Sequence, residues 1–331
     1  MQDHILIAAL VSVIAFFSVY IITPYLIRFL EKRNLTVKDF HRKGGATVPR
    51  LGGVSILIGI ISSELVLFVF FPITEIIVIL ITTSLAFLVG LVDEVTGLKK
   101  FIWFKPLALA GAAIPILLLG TFDSNLVFPL FGSIKIPLLY LAVVVFIIPI
   151  TGNTVNSIDV LNGAASGFMT IASFALATSL FILGNYEIAI ACLPLGFVSL
   201  AFYKYHKSPS RIFPGNSGAL ALGGMYGVIA IVGQVEIIAA IALFPAIINI
   251  FYLLSRMKRI KDREKKSKPV TITDDFKLAA TNYKDAPITL VRLILARGPL
   301  SEKQVVSIIF KLSLFSAALA IITTFMIGIR L

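Results

Sequence analysis

Long apolar stretches separated by short polar ones make up the whole chain. Ten stretches are predominantly apolar over helix-length windows, at about 5–30, 51–71, 75–92, 105–120, 136–152, 160–183, 186–203, 216–232, 237–255 and 305–329. A helix of about 20 such residues crosses the hydrocarbon of a bilayer with every backbone group bonded internally. The pattern therefore predicts an all-α, polytopic integral membrane protein with about ten transmembrane helices. The first stretch is too long for the apolar core of a secretory leader and has no small-residue cleavage site, so it reads as a span. One connecting segment breaks the helical theme. Residues 121–137 alternate apolar positions around Phe128, Pro129 and Gly132, which predicts a small hairpin.

The polar stretches divide into two sets. One set is 31–50, 93–105, 153–159, 204–215 and 256–304. The other is the N-terminus, 72–74, 121–135, 184–185, 233–236 and the C-terminus. Of the 29 Lys and Arg, only Lys135 and Arg330 fall in the second set. The positive-inside rule puts the first set in the cytoplasm and both termini outside. An even number of spans agrees with that. The expected layout is a single transmembrane domain, 1–331, in the plasma membrane, with a long cytoplasmic loop, 256–304, between the last two helices.

Composition sharpens this picture. The chain is 58% hydrophobic and 14% charged, well below the quarter or so of charged residues in soluble domains. That excludes a soluble globule, a disordered chain and a disulfide scaffold. The net charge of +12 reports topology and anionic lipid headgroups, with no call for nucleic acid. Within 256–268, eight cations face only Asp262 and Glu264, a basic run suited to membrane lipids. The single Cys192 lies in an apolar run and has no partner for a disulfide. His41 and His206 lie in basic loops and read as solvated. Glu64 lies inside the second span, where an ionisable group is costly. It reads as a neutral or paired carboxyl between helices.

Four segments of the basic face carry more than loops require. His41-Arg42-Lys43-Gly44-Gly45 through Pro49-Arg50-Leu51-Gly52-Gly53 offers backbone amides and cations to a phosphate. Asp93-Glu94 is a carboxylate pair at a helix end, with Lys99, Lys100 and Lys105 nearby; a cation eases the repulsion of such a pair. Asn153, Asn156, Asp159 and Asn162 recur at intervals of three. On a continuous helix this spacing lines four polar groups along one face. Pro209 to Gly218 is a turn that delivers Asn216 to a helix start, a natural place for a phosphate or a simple cap.

At these segments the sequence resembles the polyprenyl-phosphate N-acetylhexosamine-1-phosphate transferases of the glycosyltransferase family 4 type. Pro49-Arg50-Leu51-Gly52-Gly53 is similar to the family's first cytoplasmic motif. Asp93-Glu94 occupies its Asp-Asp position, and 153–163 resembles its Asn-rich motif. Phe213-x-Gly215-Asn216 stands where the family has Phe-x-Gly-Asp. Pro209-Ser210-Arg211-Ile212-Phe213 and the stretch from Ile288 to Glu302 are similar to the archaeal and eukaryotic dolichyl-phosphate branch. The resemblance implies ten spans, outside termini and an active site on the cytoplasmic face. It implies transfer of GlcNAc-1-phosphate, or a related HexNAc-1-phosphate, from a UDP-sugar to polyprenyl or dolichyl phosphate, with release of UMP.

The same resemblance implies residue roles. Asp93, Glu94 and Asp159 are the implied catalytic residues. Asn156, Asp159 and Asn216 are the implied ligands of Mg²⁺, with Mn²⁺ as the alternative. Arg50, Lys105, Asn153, Asn156, Asn162, Gly163, Arg211, Arg256, Lys258 and Arg259 are the implied substrate contacts. A homodimer is compatible with the family. Two departures stand out: Glu94 for the second Asp, and the uncharged Asn216 for a metal-binding Asp. Two other readings stay open on the residues alone. One is a catalytically impaired paralogue that binds UDP-sugar or lipid phosphate. The other is a lipid-binding or transport protein.

Overall fold

Backbone in hydrocarbon can satisfy its N–H and C=O groups only within its own segment, so the apolar stretches become helices. The computed structural model describes residues 2–40, 46–97, 104–257, 268–283 and 286–327. Its elements are α1 (Gln2–Lys32), β1 (Thr36–Lys38), β2 (Thr47–Pro49), α2 (Gly53–Phe70), α3 (Thr74–Thr96), α4 (Phe104–Gly111) and α5 (Ile114–Leu119). There follow β3 (Asn125–Phe128), β4 (Gly132–Lys135), α6 (Pro137–Ile158), α7 (Ala164–Ile182), α8 (Tyr186–His206) and α9 (Gly215–Val232). The chain continues with α10 (Glu236–Ala242), α11 (Phe244–Met257), β5 (Val270–Ile272), β6 (Leu278–Ala280), α12 (Leu290–Ile294) and α13 (Glu302–Ile327).

Among the described residues, eight helices are long and apolar enough to cross a membrane: α1, α2, α3, α6, α7, α8, α9 and α13. α10 and α11 form a ninth candidate, bent by 76° at their junction. The apolar stretch at 105–120 is two short helices, α4 and α5, where the pattern predicts one span. Both breaks coincide with a proline at the start of the following helix, Pro115 in α5 and Pro245 in α11. Proline has no N–H to continue the preceding ladder but suits a first turn. The protein is a multi-pass, all-α membrane protein.

α9 is the axis of the bundle, with every residue from Ser217 to Val232 buried. α2, α3, α6 and α8 pack around it. Helices approach closely in a membrane where small residues meet. A Cβ on Gly90 of α3 would lie 2.6 Å from the Asn216 carbonyl oxygen. One on Gly223 of α9 would lie 2.5 Å from the Thr151 carbonyl oxygen of α6. By contrast α1 is peripheral and leaves Ile5, Leu6, Phe17, Tyr25 and Phe29 exposed. In a multi-pass protein these side chains meet lipid.

The His4 ring contacts those of Phe71 and Tyr186, so α1 begins beside the end of α2 and the start of α8. α7 and α13 run parallel, since Glu302 bonds Asn162 near one end while Thr324 Oγ1 donates to Ser179 Oγ over 2.8 Å near the other. The start of α1 and the end of α13 thus lie at one end of the bundle. The expected hairpin forms there, with β3 paired antiparallel to β4 from Asn125↔Lys135 to Phe128↔Gly132. Two further antiparallel hairpins, β1–β2 and β5–β6, lie at the opposite end and were not visible in the sequence pattern. Cys192 is buried, and so is Glu64. Neither Glu64 oxygen has a hydrogen-bond partner among the described residues, so of the two readings, neutral or paired, only the paired one fails.

Candidate active site

The end of α3, the end of α6 and the start of α9 converge opposite the β3–β4 hairpin. α3 carries no charged residue between Glu75 and Asp93-Glu94, and Gly97 closes it at φ +60°, a left-handed cap suited to glycine. α9 opens with Gly215 at φ +69°. The left-handed backbone favours glycine there, and a Cβ would also overlap the Glu94 carboxylate, which would have to move aside. Asn216 follows within the helix and does not cap it. Its Nδ2 donates to Asp93 Oδ2 over 2.8 Å. Lys105 Nζ lies 3.3 Å from the same oxygen. Ser217 donates to Glu94 Oε2 from its hydroxyl at 3.0 Å and from its backbone N–H at 3.3 Å. The carboxylate pair is thus divided, Asp93 going to Asn216 and Lys105, and Glu94 to Ser217.

The Asn-rich segment is only partly helical. α6 ends at Ile158, and Asp159 caps it at φ −79°, ψ 48°. The single polar face predicted through Asn162 is therefore broken. Asn153 turns its amide back to the Pro149 carbonyl over 2.8 Å. Asn156 stays on α6, half-buried. Asp159 instead faces His206, whose Nε2 lies 3.5 Å from Asp159 Oδ1. The other His206 ring nitrogen bonds the Ser166 hydroxyl at 2.9 Å. His206 is 1% exposed, which overturns its reading as a solvated loop residue. Burial, and then the negative charge of Glu94, push the Asp159 carboxyl up to about 7.

These groups wall a cavity of about 520 Å³. Of the residues singled out in the sequence, Arg50, Asp93, Glu94, Asp159, Asn162 and Asn216 line it. Lys105 joins them through Asp93. Gly163 follows Asn162 at φ +84° and turns the chain into α7. Asn153 and Asn156 are not on the wall. Arg211 is not either: it is exposed, and its guanidinium sits 5.6 Å above the Tyr205 ring. Arg256 is in the last turn of α11, while Lys258 and Arg259 lie outside the described residues, as do 41–45, Lys99 and Lys100. The wall also holds Lys38, Asp39, Phe40, His206 and Phe213. Of these only Phe213 belonged to a recognised motif. Asp39, 2% exposed at the end of β1, gave no local signal at all.

Arg50, Lys38 and Lys105 bring positive charge to one cavity that also holds four carboxylates, Asp39, Asp93, Glu94 and Asp159. Such a mixture suits phosphate groups together with a cation. The donors on Asp93, Asp159 and Asn216 are all oxygens, the chemistry of a hard divalent ion. The Asp159 carboxyl, raised first by burial and then by Glu94, is one whose anion a bound cation would stabilise. No group of three or more His, Cys, Asp or Glu close enough to enclose a metal occurs among the described residues. The residues therefore fit an ion held by one or two carboxylates, with water and substrate oxygens completing its shell, as Mg²⁺ commonly is.

The cavity is polar and charge-mixed and lies at one end of an apolar, multi-pass bundle. The chain belongs to glycosyl transferase family 4, whose sequence profile matches residues 76–234, from before Asp93 to beyond Asn216. A Saccharolobus solfataricus protein is 28% identical over 326 residues, 96% of this chain and 97% of its own length. It carries the provisional name UDP-N-acetylglucosamine–dolichyl-phosphate N-acetylglucosaminephosphotransferase. Phospho-N-acetylmuramoyl-pentapeptide-transferase from Staphylococcus aureus strain RF122 is 30% identical over 253 residues, 70% of this chain and 76% of its own length.

Proposed function

We propose that the chain transfers GlcNAc-1-phosphate, or a related HexNAc-1-phosphate, from a UDP-sugar to a polyprenyl phosphate, releasing UMP. A phosphate oxygen of the lipid attacks the sugar-linked phosphorus, and the bond to the UMP oxygen breaks. Dolichyl phosphate is the favoured acceptor, because the relative matched over nearly its whole length is named for it. The observation that carries the reading is Asp93, held by Asn216 and Lys105 on the wall of a cavity that also contains Arg50 and Asp159.

Asp93 is placed to orient or deprotonate the lipid phosphate. Lys105 and Arg50 bind phosphate oxygens and offset charge as two anions meet. Glu94, tied to Ser217, keeps the start of α9 in register with α3. Asp159 and Asn216 would hold Mg²⁺, with His206 orienting Asp159. When bound, the ion neutralises the developing charge on the diphosphate. The cavity opens toward the cytoplasm in this reading, since the basic loops gather at its end. The membrane is the plasma membrane, and the whole chain acts as one transmembrane domain. The polar wall sits at the end of the bundle and not at its midplane, which argues against a transport pathway.

The test uses purified protein in detergent with dolichyl or undecaprenyl phosphate, Mg²⁺ and a panel of UDP-sugars, scoring UMP. Release with UDP-GlcNAc supports the reading. No release from any donor, with Asn216→Asp equally silent, overturns it.

A further inference from the structure

Asn162 is held from three sides. Its Nδ2 donates to Asp39 Oδ2 over 3.1 Å and to Glu302 Oε2 over 3.2 Å. Its backbone N–H donates to Glu302 Oε1 over 2.8 Å. Both side-chain amide hydrogens are thereby used. The remaining polar atom, Oδ1, has no donor among the described residues, yet Asn162 lines the cavity and is only 4% exposed. An Asn amide is two-faced and reads as donor or acceptor according to how it is turned. Here the turn is dictated. Flipping the amide would aim Oδ1 at two carboxylate oxygens and abandon both bonds. Asn162 is therefore fixed as an acceptor toward the cavity.

We propose that Glu302 and Asp39 are positioning residues that set the nucleobase specificity of the donor site, by locking Asn162 as an acceptor for a ring imide N–H. This rests on the reading that the donor is a nucleoside-diphosphate sugar. Uracil presents an N–H at its ring nitrogen 3 and satisfies Oδ1. Cytosine presents a lone pair there, and the two acceptors repel. A site built to complete one hydrogen bond rejects a ligand that leaves its buried group unpaired. The lock spans the fold. Asp39 comes from the end of β1, Asn162 from the turn into α7, and Glu302 from the first residue of α13.

The experiment measures UMP and CMP binding to the full-length protein in detergent by calorimetry. The wild type is expected to favour UMP by at least about tenfold, the value of one well-placed hydrogen bond. Glu302→Gln replaces one acceptor with an NH₂ that welcomes the flipped amide. It should reduce the UMP-to-CMP preference by about tenfold, raise KM for the UDP-sugar and leave kcat nearly unchanged. Asp39→Asn should act in the same direction and decides the matter if Glu302→Gln fails to fold. A preference unchanged in the folded variants overturns the positioning role while leaving the donor reading intact. A wild type that binds neither nucleotide overturns the donor reading itself.

Discussion

Asn216 reaches from the first turn of α9 to Asp93 on α3 and donates its amide over 2.8 Å. The motif that Phe213-x-Gly215-Asn216 resembles ends in Asp. An Asp there would face Asp93 as a second carboxylate, at a separation only a cation tolerates. The amide instead holds the two helix ends together without help. Asn216→Asp should therefore lower the melting temperature by a few degrees in chelator, about 1 kcal/mol in a chain this size. Mg²⁺ should restore it and should half-saturate activity at a concentration about tenfold lower than in the wild type. Melting curves and Mg²⁺ titrations check both halves.

Asp93→Asn keeps the size of the side chain and its contact with α9 but removes the charge that Lys105 meets. UMP release should fall by at least a hundredfold, while detergent-solubilised protein remains monodisperse with an unchanged melting temperature. Full activity in this variant would sink the role assigned to Asp93.

The Asp159 carboxyl, pushed up to about 7, gives the protein a pH dependence of known sign. The folded state holds this proton more tightly than the unfolded chain does. The group's contribution to stability is full below about pH 4 and is lost as the pH rises to about 7. Activity runs the other way, because only the anion would hold a cation. Transfer should rise about tenfold between pH 6 and pH 8 at limiting Mg²⁺, with the rise moving to lower pH as Mg²⁺ increases. Asp159→Asn should remove that limb of the profile.

Gly215→Ala should displace Glu94, since the added Cβ overlaps its carboxylate and the backbone is left-handed there. A loss of about 1–3 kcal/mol is expected, read as a lower melting temperature together with a weakened response to Ser217→Ala. If the two substitutions prove additive, Glu94 has not moved.

Orientation is open to direct labelling. Cys192 is buried and the chain has no other thiol. Asp123→Cys, beside the β3–β4 hairpin, should react with an impermeant maleimide added to intact cells. Lys277→Cys, beside the β5–β6 hairpin, should react only after permeabilisation. The reverse pattern would invert the topology.

The spans were legible because hydrocarbon thickness writes itself into run length, and the β3–β4 hairpin because its turn is local. The carboxylate pair and Asn216 were legible because each sits in a short motif at a helix end. What was not legible depends on how distant segments pack. Asp39, Asn162 and Glu302 are well separated in sequence, and nothing near Asp39 or Glu302 announces a cavity. His206 belongs to no loop because α8 continues past the end of its apolar run and buries it against Ser166. The spacing of Asn153, Asn156 and Asp159 shares one face only on an unbroken helix, and α6 ends at Ile158. Arg211 is near Phe213 in sequence, but it turns outward over Tyr205.

α9 is enclosed along its length, and Asn216 and Ser217 stand on its first turn. The backbone that carries them cannot shift without moving the helices in contact at Gly90 and Gly223. The floor of the cavity is therefore an anvil: it keeps its shape whatever is laid upon it. The rim is built differently, from the short β1–β2 hairpin, with Phe40 under Lys268 at 5.5 Å. New sugars or lipids would be accommodated in this lineage by changing the rim, while substitutions in the floor would trade away the reaction itself.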